Sequence, residues 1–514
     1  MPRTAHRTHV ASSPWTMVVW LVAALIAGRS AATWAADWNV VTGIAVQETL
    51  TDNVRLQPES QAKSDLVSGV SPYIRLHGEG ARLKLDFSYS PHLLLYANNP
   101  DQDGISHSLN ATSRAELIEN FFFLDADALV AQNFVSPFGS TQSDLASINQ
   151  NRVETYTARL SPYLKGNFGP ELAWQARNQT TWSWISGGAF GDSQKVNWTA
   201  SLQTPVRVFG SRAEYQRNEL HAAQQPTRVE EVARTYLYFR PVSSITFSAI
   251  GGYEQNNYSL RETKNPIYGA GIDWQPSPRT SASARWEDRY FGSSYQVGLN
   301  HRTRLTAWNI NVSRGASSYP QELLRLPPGN TAALLNSALV SRFPDPAERE
   351  AAVQDILRQT GLPPFLASQQ SLFTQQVLLV KREEASVAIL GARNSLTFVI
   401  FRTNQEQLTE PLAVAVGKAI ATGEQVTTRG FSVALAHTLT AFSVITGTYL
   451  HTRSESSLST AETTQDAYRV FWTHRVSPKT NVFTGARYVR FDSTGAGFAG
   501  YQERAVLAGF DHVF

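Results

Sequence analysis

Cysteine is absent from the 514 residues. Structural disulfides, thiolate metal sites, a cysteine nucleophile and a lipidated N-terminal cysteine are excluded with it. The absence suits a chain that crosses an oxidising periplasm, where a free thiol is a liability. Beyond the first 35 residues there is also no apolar run long enough to span a bilayer as a helix. Lysine is scarce, 8 against 37 arginines. Arginine's planar fork suits carboxylated ligands, and a GC-rich genome gives the same bias. There is no H-E-x-x-H pattern, no G-x-S-x-G elbow and no Walker-type phosphate loop. His437, His451 and His474 fall in separate segments without ligand spacing and read as rim or interface residues. A Ser–His pair assembled only in space would leave no such trace. The expectation is nonetheless a protein that is not an enzyme and carries neither metal nor cofactor.

The first 35 residues read as a signal peptide. Arg3 and Arg7 precede the apolar run MVVWLVAALIAG at 17–28. Small residues follow, and cleavage is expected after Ala35 or Ala32; the former leaves 479 of the 514 residues. The leader holds Arg3, Arg7 and Arg29 and no acid, so the formal charge of +3 falls to zero in the remainder. Nucleic acid is therefore not an expected partner. Mean hydropathy is −0.25, yet Trp, Tyr and Phe number 12, 18 and 25. Either a large soluble β-protein or a barrel with an apolar outside and a polar lumen gives that combination.

Period-2 alternation separates the two. Leu83, Leu85, Phe87, Tyr89, Leu93 and Leu95 alternate with Arg82, Lys84, Asp86, Ser88, Ser90 and His92. The pattern returns at 195–208, with Trp198 and Leu202 against Lys195, Asn197 and Arg207, and again at 109–117 and 294–302. Tight joints at 77–80, 167–170, 210, 276–279 and 477–479 alternate with loose ones at 57–64, 98–106, 136–150, 186–193 and 408–424. Short turns at one end and long loops at the other are what a membrane barrel requires. The expected fold is all-β: a transmembrane antiparallel up-and-down β-barrel over 36–514, of about 22 strands within a range of about 18–26. Trp198, Tyr295, Tyr468 and Trp472 are expected to face lipid near the interfaces.

One stretch, 319–370, breaks the meander. The segment from Ala347 to Gln359 reads as a helix with Asp345 as N-cap, Pro346 in the first turn and Gly361 as its stop. Ala351, Ile356 and Leu357 suggest a narrow apolar face, with Ala352 and Val353 beside it. A structureless loop of that length is improbable in a compact fold, so a structured insertion is expected, on the outer side by parity, as a plug or a lid.

The C-terminal stretch alternates as well. Val506, Ala508, Phe510, His512 and Phe514 share one face, opposite Glu503, Ala505, Leu507, Gly509, Asp511 and Val513. A terminal Phe at the end of such a strand resembles the closing strand of bacterial outer-membrane barrels. That resemblance implies that Phe510, His512 and Phe514 serve as the signal for the barrel-assembly machinery. His512 departs from the aromatic usual at its position. T-D-N-V-R-L at 51–56, Ser64-Asp65, Ser71-Pro72-Tyr73, the strand at 85–96, P-D-P-x-E-R at 344–349 and Gly361-Leu362-Pro363 together resemble the PEP-CTERM-system-associated outer-membrane β-barrel proteins. These are similar to the wider outer-membrane barrels of exopolysaccharide loci. The resemblance implies an outer-membrane barrel encoded near exosortase and exopolysaccharide genes. It implies no reaction and no catalytic residue.

The candidate lumen charges are Arg82, Lys84, Arg114, Glu116, Arg207, Arg285, Glu287 and Arg289. Mixed signs there suit either a transverse field and hydroxyl-rich or acidic sugars, or a plain solvated salt-bridged interior. The expected partners are outer-membrane lipid, the barrel-assembly machinery, and an exopolysaccharide or its export components. The expected role is a channel or export-assisting barrel, against a general diffusion porin or a structural barrel, with an outer-membrane enzyme as the remote third reading.

Overall fold

A computed structural model of the chain describes residues 37–514 apart from 142–143, 187–191, 224, 259–262, 369–375, 409–424 and 496. The expected leader lies outside the described residues, as does most of the 408–424 loop. Twenty-two strands form one sheet. They are β1 (Asp37–Thr51), β2 (Asp65–Glu79), β3 (Leu83–Tyr96), β4 (Gly104–Ile118), β5 (Phe122–Phe134), β6 (Arg152–Phe168), β7 (Leu172–Ile185), β8 (Ser193–Gln203), β9 (Phe209–Ala222), β10 (Arg228–Val242) and β11 (Ile245–Asn256). They continue with β12 (Thr263–Ser277), β13 (Thr280–Arg289), β14 (Gly292–Arg302), β15 (Thr306–Ser317), β16 (Leu378–Leu390), β17 (Asn394–Gln407), β18 (Gln425–Thr440), β19 (Ser443–Ser456), β20 (Glu462–Ser477), β21 (Thr480–Thr494) and β22 (Tyr501–Val513). Each pairs antiparallel with the next, and β1 pairs with β22 from Gly43↔Val513 to Thr51↔Ala505. The sheet is closed, which leaves no edge with unpaired backbone.

Residues directly opposite in an antiparallel pair share a face, so the registers carry inside and outside around the ring. Lys84↔Arg114, Arg114↔Asp125 and Asp127↔Arg159 line the lumen. Their neighbours Leu85, Leu109, Ala111, Val130 and Tyr156 face out. There Leu109, Ala111, Ala128, Val130 and Tyr156 pack with Phe87, Tyr89 and Trp184. Leu237 at 60 % exposure and Val506 at 58 % belong to the same outward belt, an apolar exterior of the kind a transmembrane barrel presents. Trp198, Tyr295, Tyr468 and Trp472 all lie on it by register. An aromatic ladder crosses five adjacent strands there. Phe398, Phe431, Tyr449, Tyr468 and Tyr488 follow one another at centroid spacings of 6.4, 5.5, 4.6 and 6.1 Å.

The two ends of the barrel differ. At the end where β1 begins, the joints are two to five residues long. Register shifts beside the turns at 119–121, 243–244, 278–279, 441–442 and 478–479 are β-bulges. Asn120, with φ 53°, supplies the left-handed corner of the first of these turns. At the other end lie the longer loops, with one departure: β13 and β14 are joined there by only Tyr290 and Phe291. The segment at 195–208 is shorter than its alternation suggests. β8 stops at Gln203, because Pro205 has no N–H for the ladder. Residues 204–208 turn instead, with the Thr204 N–H donating to the Ser211 carbonyl at 2.9 Å.

The face assignment has a direct test. Leu237→Arg, on the outward face midway along β10, should cost about 2–4 kcal/mol near the bilayer midplane, while Ser88→Arg in the lumen should be nearly neutral. Urea unfolding of the two variants in liposomes reads the difference; equal costs would mean that inside and outside have been exchanged.

Candidate functional site: the filled lumen

Among the described residues, two loops from the long-loop end run into the barrel, and a third, 52–64, lays Leu56 on the inward Ala467, Val489, Phe491 and Tyr501. The larger of the two joins β15 to β16 and carries, among the described residues, three helices: α1 (Tyr319–Leu323), α2 (Thr331–Leu339) and α3 (Pro346–Thr360). Ser318 and Gln321 form a capping box on α1, whose Tyr319 and Leu323 pack against Val135, Val153 and Ile185. Burial pushes the Tyr319 hydroxyl well above its ordinary pKa. Glu322 accepts from Arg382 of the inner wall of β16 and from Ser317 Oγ. The next wall carboxylate, Glu384, accepts the Gly329 N–H at 2.9 Å.

The chain then descends along the wall. Asn330 caps α2 by accepting the Ala333 N–H at 2.9 Å, and Leu335, Leu339 and Val353 form a core with Phe343, Ile356, Leu357 and Leu390. Asp345 caps α3 through the Glu348 N–H at 2.9 Å. Gly361, with φ +66°, ends it. The apolar face of α3 is centred on Val353, not on Ala351, which is exposed. Ser341 receives a hydrogen bond from Arg302, the last residue of β14, at 3.1 Å. Thr446 Oγ1, close to the 441–442 turn, donates to the Thr360 carbonyl. A segment that enters at the loop end therefore reaches the turn end. It returns beside itself: Thr331 N–H to Pro364 O is 2.9 Å and Leu366 N–H to Gly329 O is 3.0 Å. Leu362, Leu366 and Ala367 then pack on Val399, Phe401, Ala434, Ala436 and Val444 of the inner wall.

The second loop, 135–151, is not the ordinary surface loop that its polar sequence suggests. It crosses to β20–β22. Ser140 Oγ and Tyr501 Oη are 2.5 Å apart, the Thr141 N–H donates to Gln465 at 3.0 Å, and Ile148 N–H donates to Val54 O at 2.8 Å. At its centre Arg487 grips Glu503 with two bonds, 2.5 and 3.1 Å, and also holds Asp144. Glu503 accepts from Thr51 Oγ1 as well, at 2.9 Å. The side chains of Arg487 and Glu503 are 1 % and 0 % exposed. Ser368 Oγ donates to the Thr141 carbonyl at 3.3 Å and joins the two inward loops. Between them and the wall lies a cavity of about 770 Å³, bordered by Thr112, Asp127 and Arg159 on one side and Thr448, Gln465 and Arg469 on the other.

The sequence candidates divide. Lys84, Arg114 and Glu116 lie on the inner face; Lys84 pairs with Glu79, and Arg114 with Asp125 at 3.1 Å. Glu116 accepts the Asn120 N–H near the turn end. Arg285, Glu287 and Arg289 also face inward. Arg285 stacks over Tyr236 at 5.5 Å, Arg289 bonds Glu254 at 2.5 Å and Glu230 at 3.1 Å, and Glu287 bonds Arg234 at 3.1 Å. Arg82 and Arg207 do not line the lumen. They sit in short turns, paired to Glu119 at 3.0 Å and Glu171 at 2.6 Å. The alternation runs past the true strand ends, since β3 starts only at Leu83 and β8 stops at Gln203. Phe510 and Phe514 face outward, and the Phe514 N–H donates to Thr42 O at 2.9 Å. His512 Nδ1 lies 2.9 Å from Thr480 Oγ1. His437, His451 and His474 each contact a neighbouring polar side chain on the outward face: Asn394, Asp466 and Ser443. Sequence reading missed Asp144, Arg487 and Glu503. The available signal was the apolar inward face of β21 and β22, Val489, Phe491, Tyr501 and Leu507, which has no reason to face a water-filled pore.

The fold is that of the outer-membrane β-barrels. No protein-family model matches the chain, and no curated protein matches it significantly. Among solved structures it is similar to the FrpB iron transporter of Neisseria meningitidis (F3-3 variant), at 10 % identity and TM-score 0.47 over 96 % of this chain and 83 % of that one. It is also similar to OpdO of Pseudomonas aeruginosa, at 11 % identity and TM-score 0.36 over 93 % and 98 %. A third is an anion-selective porin of Comamonas acidovorans, at 10 % and 0.30 over 93 % and 100 %. At that level the likeness says nothing about cargo.

The latch on the second loop is sensitive to acid. Burial works against the Asp144 carboxylate, but Arg487, Arg469, the Ala146 N–H and Arg152 outweigh it and hold its carboxyl below the ordinary 3.8. A depressed folded pKa gives stability that is complete above the unfolded value and is lost as pH falls through the folded one. Proteolytic nicking at 135–151 should therefore stay flat from neutral pH to about 4 and rise below it, and Asp144→Asn should nick readily at every pH. Arg487→Met, which leaves Glu503 buried without its arginine counter-charge, should cost about 3–5 kcal/mol.

Proposed function

We propose that this chain is an outer-membrane channel whose lumen is restricted by its own 318–368 segment, and that it serves the export of a surface polysaccharide or of that polymer's export machinery. The observation that carries the reading is the course of that segment. It leaves β15 at the loop end, reaches Arg302 and Thr446 near the turn end, and returns packed against the inner wall. Barrels of about 22 strands enclose a lumen wide enough to require a plug. An open lumen of that width would leak periplasmic solutes.

The motif resemblance to barrels of exopolysaccharide loci supports the choice of cargo. The outward Phe510 and Phe514 support recognition by the barrel-assembly machinery, with lipid as the surrounding partner. Nothing in this reading calls for a reaction, a cofactor or nucleic acid. The 770 Å³ cavity beside the segment favours a second reading, a constitutive porin for small solutes that needs no movement.

Replacement of 321–368 by a short Gly-Ser linker separates the two. The barrel's own ladders do not run through the segment, so insertion should survive. In planar bilayers the variant should conduct several-fold more than the parent, and cells carrying it should admit large antibiotics and display an altered amount of surface polysaccharide. Identical conductance with unchanged polysaccharide would remove both the plug and the export role.

A further inference from the structure

Two polar cavities of about 240 and 220 Å³ lie beside α1 near the loop end of the barrel. Both are bordered by Lys195, Gln216, Asn218 and Gln321, so they meet there. Lys195 is the third residue of β8, and its side chain falls on the inner face opposite Leu220. The other cations of these cavities are engaged. Arg159 donates to Asp127 at 2.7 Å, Arg234 to Glu287 at 3.1 Å, and Arg289 to Glu254 and Glu230 at 2.5 and 3.1 Å. Arg228 donates to the Tyr258 carbonyl at 3.1 Å. Among the described residues the Lys195 ammonium makes no hydrogen bond or ion pair, and the charge of Glu230 acts on it only through space. The nearby carboxylate of Glu230 already accepts from Asn218 at 3.0 Å and from Arg289.

A lumen cation without a hydrogen-bonded partner, where the neighbouring arginines are taken and amides supply much of the wall, suits an anionic ligand. The amides decide which kind. Asn197 donates to Asn218 at 2.7 Å and so fixes its orientation. Gln321 Oε1 accepts from Ser318 and Gln216 Nε2 donates to Asn218 at 3.4 Å, so the Gln321 amide N–H and Gln216 Oε1 are left as a donor and an acceptor, the complement of sugar hydroxyls. A simple inorganic anion would use the donor and leave the acceptor without a partner.

We propose that Lys195 and the surrounding amides form a subsite for a carboxylated sugar residue of the uronate class, at the mouth of the channel beside α1. The proposal deepens the export reading and rests on it for the biological source of the sugar. The site would engage an acidic polymer at the loop end of the lumen, against the helix that begins the restricting segment.

The test uses the purified full chain and two probes, a galacturonate trimer and maltotriose, titrated calorimetrically in detergent. One charge-assisted bond is worth about tenfold in affinity or somewhat more. The parent should bind the acidic trimer about tenfold more tightly than the neutral one. Lys195→Gln should abolish that preference and Lys195→Arg should keep it. With the parent protein, a trimer whose carboxylates are reduced to alcohols should bind like maltotriose, an outcome independent of how any variant folds. The proposal is overturned if Lys195→Gln retains the preference, if the reduced trimer binds as well as the acidic one, or if the parent does not discriminate. Binding is read here without conduction, so a barrel that fails to conduct leaves this result standing. A Lys195 substitution without effect likewise leaves the channel standing.

Discussion

Hydrocarbon offers no partner to a backbone N–H or C=O, so a sheet can cross a bilayer only if its two edges find each other. The seam between β1 and β22 meets that demand, and the rest of the molecule depends on it. Gly43–Thr51 of the first strand pairs with Ala505–Val513 of the last. The cost is geometric: a ring of this size encloses a lumen too wide to be filled by side chains from its own wall. The two inward loops follow from that consequence. They give inward residues such as Val399, Phe401 and Tyr501 something other than water to face.

The loops are held by charge as much as by apolar contact. A buried ion pair seldom adds stability over an apolar substitute of the same shape, but breaking one is costly. The Arg487–Glu503–Asp144 group and the Arg382–Glu322 pair therefore act more as register marks than as sources of stability. Each joins a loop to one place on the wall, with partners 343 residues apart in the first case and 60 in the second. Both depend on strand parity that places Arg487 and Arg382 on the inner face. A slip of one residue would turn each into the lipid.

The barrel and its strand number were legible because alternation is a local signal, repeated many times, and because turns and loops alternate with it. The helix at Pro346–Thr360 was legible because Asp345, Pro346 and Gly361 mark its ends locally. The errors have local causes too. Parity carried past the strand ends puts Arg82 and Arg207 in the lumen, and Pro205 was the available warning. Val353 rather than Ala351 centres the buried face of α3 because the wall and α2 approach from one side, which the helix's own sequence does not encode. The 135–151 latch was illegible for a stronger reason. Nothing within Ser140, Asp144 or Ser147 announces partners on β21 and β22, and Lys195 becomes distinctive only once every neighbouring arginine is seen to be taken.

The central claim is that a segment leaving β15 at the loop end traverses the lumen and seats at the turn end. The absence of native cysteine makes it directly measurable. In intact outer membranes, the double variant Thr360→Cys with Thr446→Cys should be joined by a short bis-maleimide, since the Thr446 hydroxyl donates to the Thr360 carbonyl. A membrane-impermeant maleimide added outside the cells should leave the thiol of the single variant Thr360→Cys unlabelled. Failure of the double variant to cross-link, together with rapid labelling of the single variant from outside, would place the segment above the barrel and contradict the account.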